Sequence, residues 1–133
     1  MVSTLDLSHS LLGLYRNGQT HLVAWESGPP PRIDGYMIGT PVMERPAPHN
    51  GEMHPDGDEV LFLISGRLDV VLEEDETQNV VEMTPGQTLI VPQGVWHRVL
   101  PREPSQLLHI TPGPGGEWRP LKNSVPGPDA GGV

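Results

Sequence analysis

Between Glu59 and Thr111 the chain is cut into short runs of Val, Ile and Leu at nearly even spacing, and no other feature constrains its fold as much. EVLFLI ends at Ser65-Gly66. RLDVVLEE, NVVEM, TLIVP, VWHRVL and QLLHIT follow, parted by the charged EDETQN and by TPG, PQG and PREPS. RLDVVLEE alternates, with Leu68, Val70 and Leu72 on one face and Arg67, Asp69 and Glu73 on the other, the period of a half-buried strand. EDETQN reads as a solvated hairpin tip. Short strands at such spacing, with no long helical pattern among them, predict an antiparallel sandwich or barrel. Gly and Pro number 16 each, a level that approaches disordered composition, but here they punctuate apolar runs and mark turns.

The flanks are less regular. Leu5 to Tyr15 has apolar residues at 5, 7, 11, 12 and 14, compatible with a short helix or an arm. HLVAW (21–25) and YMIGTPVM (36–43) read as strands around the breaker ESGPPPR, and Pro41 limits the second to an edge or an interruption. A chain of 133 residues forms one domain. We divide it into an N-terminal arm and first strands (1–45), a core (46–112) and a Pro/Gly-rich tail (113–133), partly disordered because it has little to bury.

Charge and composition exclude several classes. A net charge of −9 argues against nucleic acid and anionic membranes as partners, since both need a basic surface. No apolar stretch approaches the roughly 18 residues of a membrane span, and MVSTLDLSHSLLGLY has no basic leader. There is no cysteine, hence no disulfide framework and no thiolate, which fits a cytoplasmic protein.

The chemistry concentrates in GEMHPDGDEVLFLISG, residues 51–66, where acids and a His crowd against an unbroken apolar run. Glu52 and His54 are two apart and point to the same side of an extended backbone. Glu59 lies at an odd offset from His54, but Pro55-Asp56-Gly57 is a strong turn signal that can return it to the same side. Two carboxylates that close repel, and a divalent cation removes that penalty. Nitrogen with oxygen ligands suits Mn, Fe, Co, Ni or Zn. GQTLIVPQGVWHRVL adds His97 on a strand, sharing a face with Val95 and Val99.

These residues resemble the two motifs of the cupins. Gly86, Pro92, Gly94 and His97 reproduce the second, G-x5-P-x-G-x2-H. His54, Glu59 and Gly66 match most of the first, in which H-x-H precedes Glu and then Gly. The 19 residues between Gly66 and Gly86 match the short spacing of small, single-domain members. The resemblance implies a double-stranded β-helix, a jelly-roll barrel with a divalent transition metal inside, held by Glu52, His54, Glu59 and His97. Three positions depart from the motifs: Glu52 replaces the first His, Pro46 the leading Gly, and Pro101 a frequent closing Asn. With Glu52 bound, a divalent metal has a formally neutral shell. With Glu52 free, His54, Glu59 and His97 resemble the facial triad of non-haem iron oxygenases. Glu52 as an exposed edge residue, Glu59 as a rim carboxylate paired with Arg67 or Arg98, and His49 as a substitute donor are the competing readings. His109 is expected in a pocket or core, and Arg45, Arg98 and Tyr36 are either substrate contacts or surface residues.

The family resemblance implies a metal-dependent enzyme acting on a small polar organic molecule, with oxygenase-type chemistry slightly ahead of lyase or isomerase chemistry. The alternative is a non-catalytic metal or ligand binding module; a scaffold with an empty site stands third. If Glu59, Leu61 and Leu63 face inward, then Val60, Phe62 and Ile64 face outward. Such a patch needs cover, from the N-terminal segment or from a second subunit. A homodimer is the expectation, in keeping with small members of the family.

Overall fold

The computed structural model describes residues 2–26, 28–47 and 50–122. Among the described residues there are twelve strands and no helix. β1 (Leu11–Tyr15), β2 (Thr20–Val23), β3 (Gly35–Gly39) and β4 (Val42–Met43) precede β5 (Gly51–Met53). β6 (Glu59–Ser65), β7 (Leu68–Glu74), β8 (Thr77–Met83), β9 (Thr88–Val91), β10 (Trp96–Pro101), β11 (Ser105–Pro112) and β12 (Glu117–Arg119) complete the chain. All pairings are antiparallel. One sheet has the order β2-β1-β3-β11-β6-β9, with β4 also on β11; the other runs β12-β5-β10-β7-β8. Consecutive strands β6 and β7, and likewise β9 and β10, lie in different sheets, so the chain winds back and forth between the two layers. This is the all-β jelly-roll architecture that the strand spacing predicts.

Alternation decides what fills the space between the layers. Leu61 and Leu63 of β6, Leu68, Val70 and Leu72 of β7, Met83, Val91 and Leu107 form the buried core. Leu63 and Val70 have no exposed surface at all. The odd-numbered face of β6 thus points inward, and Val60, Phe62 and Ile64 point outward, as the period-two reading required.

Three local features differ from the sequence reading. Of the two forms offered for Leu5 to Tyr15, no helix is made. Leu11–Tyr15 is a strand, because Leu12 and Leu14 share one face while Leu11 buries on the other. The charged hairpin tip is shorter than EDETQN: β8 starts at Thr77, and Asp75 takes the left-handed conformation (φ 55°) that the tight turn needs. The stretch after Pro112 contributes β12, which pairs with β5, and Leu121 is buried. Residues 123–133 lie outside the described residues. Pro41 interrupts, as expected, leaving β3 and β4 as separate strands.

Candidate metal centre

The turn after His54 does bring Glu59 back. Two hydrogen bonds from the second motif hold it: Gln93 N–H donates to Asp58 Oδ1 at 2.8 Å, and Gly94 N–H to the His54 carbonyl at 2.9 Å. A third, from the Gln93 amide to the Pro55 carbonyl at 2.6 Å, locks the Pro-x-Gly turn onto the Pro-Asp-Gly turn. The two motif loops therefore position each other. Meanwhile Glu52 of β5 lies directly opposite His97 of β10 in the register.

The four side chains named from the sequence meet. One donor atom each from Glu52, His54, Glu59 and His97 lies within 4.8 Å of all the others. His97 Nε2 is 2.9 Å from Glu59 Oε1 and 3.5 Å from Glu52 Oε1. His54 Nε2 is 3.3 Å from Glu59 Oε2 and 3.4 Å from Glu52 Oε1. His54, Glu59 and His97 are buried, and Glu52 is half-buried. Glu59 is therefore no rim carboxylate, and Arg67 pairs with Glu82 instead.

Hydrogen bonding fixes which atoms face the centre. His97 Nδ1 is 3.1 Å from the Val95 carbonyl, which can only accept, so Nδ1 carries the proton and Nε2 is free to ligate. His54 Nε2 is buried with no hydrogen-bond partner although two carboxylates stand within 3.4 Å. Such an orphaned nitrogen between carboxylates is what a cation would satisfy, so the donor set fits a divalent transition metal.

Electrostatics agree. Burial pulls the His97 imidazole down, but the carboxylates of Glu52 and Glu59 more than offset it and raise it to about 10. His54 is raised against burial by the same two groups. Burial pushes the Glu59 carboxyl up, yet the His54 and His97 imidazoles beside it bring it down to about 2. The cluster attracts positive charge strongly, whether as protons or as a metal ion.

Thr111 and Arg32, which the sequence did not single out, complete the surroundings together with His109, which lines the cavity as expected. Thr111 Oγ1 donates to Glu59 Oε2 at 2.6 Å and is itself 2.8 Å from His109 Nδ1. Thr111 is two residues after His109 on one strand, so its place on the same face was legible from period two. The His109 ring is pushed down by burial and stays neutral. It fits because Gly39 lies opposite in the register: a Cβ there would sit 2.7 Å from His109 Nε2. Arg32, from the Pro-rich loop, places its guanidinium 3.6 Å from Glu52 Oε2 and 5.9 Å from the centre of the Trp118 ring. No spacing rule could have found it.

A cavity of about 430 Å³ reaches the cluster, with Glu52 and Glu59 in its wall beside Trp25, Arg32, Met43 and His109. Arg45 and Arg98 also line it, whereas Tyr36 is exposed on the outer face of the larger sheet. His49 lies outside the described residues.

Comparison with known proteins agrees with this architecture. Residues 44–111 match the cupin domain family, Cupin_2, and the chain belongs to that family. No curated protein matches. Among solved structures, a cupin-2 domain protein from Shewanella frigidimarina is 20% identical with a TM-score of 0.51, over 67% of this chain and 85% of that one. Peruvianin-I, a cysteine peptidase from Thevetia peruviana latex, gives 19% and 0.54 over 65% of this chain and 57% of that one. Oxalate decarboxylase from Bacillus subtilis gives 20% and 0.54 over 62% of this chain. The present chain spans only 23% of the decarboxylase and 57% of peruvianin-I. These likenesses establish the fold.

Proposed function

We propose that this cupin is a metal-dependent enzyme acting on a small organic acid, with Glu52, His54, Glu59 and His97 as ligands of a divalent transition metal. The observation that carries the reading is the convergence of these four side chains within 4.8 Å at the wall of a 430 Å³ cavity. Cavities of this size suit small-molecule ligands. When bound, such a metal supplies Lewis acidity or a redox couple toward a substrate in its open positions.

The chain's own residues set the rest of the chemistry. Thr111 holds Glu59 by its second oxygen and links it to the neutral His109, so a proton can be exchanged between the cavity and the cluster through that relay. Arg32, with a side chain only 6% exposed, offers a guanidinium in the cavity wall, which favours a carboxylate on the substrate. Oxalate decarboxylase, a structural relative, is named for such an acid. A fourth ligand from Glu52, which stands beside both imidazoles, would favour a lyase or isomerase reaction over the oxygenase-type chemistry of a three-residue triad. The cysteine-free composition fits a cytoplasmic place of action.

The test is elemental analysis followed by a substrate panel. Close to one equivalent of a transition metal is expected, lost in His54→Ala, Glu59→Ala and His97→Ala. Turnover is expected among small keto, hydroxy and dicarboxylic acids without oxygen uptake. Oxygen consumption would restore the oxygenase reading. Full metal with no turnover across the panel would favour the binding module, and absence of metal after reconstitution would leave the scaffold.

A further inference from the structure

The cavity beside the metal cluster changes character along its length. Register sets the inward side chains of β6 and β11 in levels ~6.8 Å apart. Glu59 and Thr111 share the first level, joined by their 2.6 Å hydrogen bond. Leu61 lies opposite His109 at the second, and Leu63 opposite Leu107 at the third. Beyond them Met43 of β4 is paired with Ser105. Arg32 belongs to the first level by its 3.6 Å contact with Glu52, and Arg98 follows His97 on β10. Leu61, Leu107 and Met43 line the cavity further on. One end is therefore ionic and the other aliphatic.

The loop between β2 and β3 carries one contact of each kind, because Trp25 and Arg32 both line the cavity from it. Trp25 Nε1 donates to the Gly28 carbonyl at 3.1 Å, which holds the indole within its own loop. Pro29, Pro30 and Pro31 restrict the backbone leading to Arg32. The half-buried indole offers a flat apolar surface that loses little freedom when a ligand binds.

We infer that the substrate is an amphiphilic monocarboxylic acid, with its carboxylate at the Arg32 end and an aliphatic or aromatic body along Leu61, Leu107, Met43 and Trp25. The inference rests on the metal-dependent reading of the same site and narrows it. A diacid would carry its second carboxylate in among Leu107 and Met43, where an unpaired charge is costly to bury. Arg45 does not reverse this: it is exposed, where an ion pair contributes little, and Glu44 lines the cavity beside it. A volume of about 430 Å³ is also more than a two-carbon diacid fills. An apolar body instead displaces water from the aliphatic wall, at a gain of ~4-fold in affinity per buried methylene.

Calorimetric titration of the full chain with straight-chain acids, on protein of measured metal content, tests it. Octanoate should bind at least ~10-fold tighter than butanoate. Hexanoate should bind at least ~10-fold tighter than hexanedioate, which has the same chain with a second carboxylate in place of the methyl group. Trp25→Ala should reduce the octanoate-to-butanoate ratio at least ~3-fold, and an unchanged ratio overturns the part given to Trp25. A flat series from butanoate to octanoate, hexanedioate binding as tightly as hexanoate, or no binding of octanoate at ~10 mM overturns the inference. Should Trp25→Ala not fold, the wild-type series decides alone. Metal content separates this failure from that of the parent reading. Full metal with a flat series leaves the metal centre standing and removes the amphiphilic acid; a rising series on protein that stays metal-free after reconstitution does the reverse.

Discussion

Loading the cluster with metal should expel protons, and their number sets how steeply affinity depends on pH. A coordinating imidazole must give up the proton on its ligating nitrogen. The carboxylates of Glu52 and Glu59 hold His97 at about 10, against the pull of burial, so in the metal-free protein it is charged at neutral pH. Glu59, at about 2, is already ionised and contributes no proton. Between pH 7 and 9 the logarithm of apparent affinity should therefore rise by about one per pH unit, roughly 100-fold overall. His54 is also raised, so the slope steepens towards two where its imidazole is charged as well. The assay is calorimetric titration of manganese(II) into chelator-stripped protein, in two buffers of different ionisation enthalpy. The difference in heat counts protons, and about one should be released at pH 8. A flat affinity from pH 7 to 8.5 with no proton release would refute the reasoning, because it would mean that these imidazoles are neutral beforehand or are not ligands.

The same groups govern the stability of the metal-free fold. A histidine raised from 6.5 to about 10 contributes its stability in full below 6.5 and loses it as pH rises through about 10. A carboxyl lowered from 4.5 to about 2 contributes above 4.5 and loses it as pH falls through about 2. For these two groups the metal-free protein is most stable between 4.5 and 6.5. Metal stabilises the folded state by mass action, and that effect grows with affinity. The gap in melting temperature between loaded and stripped protein should therefore widen from pH 6 to pH 9.

Three further perturbations test individual contacts. Thr111→Val removes the hydroxyl that donates to Glu59 at 2.6 Å and should weaken metal binding about 10- to 100-fold with the fold intact, measured by chelator competition. Gly66→Ala and Gly86→Ala share nearly the same backbone, φ +90° and +91°, but a Cβ at 66 would lie 2.3 Å from Ser105 Oγ while one at 86 meets nothing within 4 Å. Gly86→Ala should cost about 1–2 kcal/mol for its conformation alone, and Gly66→Ala at least a further ~1 kcal/mol in urea unfolding. Arg32→Gln should weaken the binding of small carboxylates about 10-fold or more while metal content stays constant; equal loss of metal would assign Arg32 to holding Glu52 alone.

The parts of this protein that were legible in the sequence are those fixed by local rules. Period two in EVLFLI and RLDVVLEE sorted inward from outward side chains, because a strand leaves each residue only one of two faces. The His54 to Glu59 offset looked wrong for a strand, and the turn residues between them correctly signalled a return. What stayed hidden was set by distant segments. β12 reads as Pro/Gly-rich tail, since nothing in GGEWRP announces that β5 has an open edge waiting for it. Arg32 sits in a loop whose path is decided by the Trp118 ring and by Glu52, far along the chain. The hairpin tip was read too long because TQN is polar by composition, whereas β8 is exposed over most of its length and needs no apolar signal to pair with β7.

Glu52 in place of a histidine alters the division of labour around the cluster. Two carboxylates and two imidazoles make a shell that cancels the charge of a divalent ion, whereas three imidazoles and one carboxylate leave it positive by one. With His54, Glu59 and His97 buried, the neutral arrangement lowers the cost of keeping net charge out of water. The consequence is a weaker pull on an incoming anion, since a neutral centre offers less long-range attraction than a cationic one. Attraction for a carboxylate must then come from fixed positive groups in the cavity wall, and Arg32, Arg45 and Arg98 all line it. Arg32 is tied to both sides of this arrangement: it stands 3.6 Å from the carboxylate that neutralises the cluster and faces the cavity where the substrate would lie. If Glu52 ligates the metal, the departure from the family motif at position 52 and the guanidinium in the Pro-rich loop would therefore act together, one neutralising the centre and the other attracting the acid.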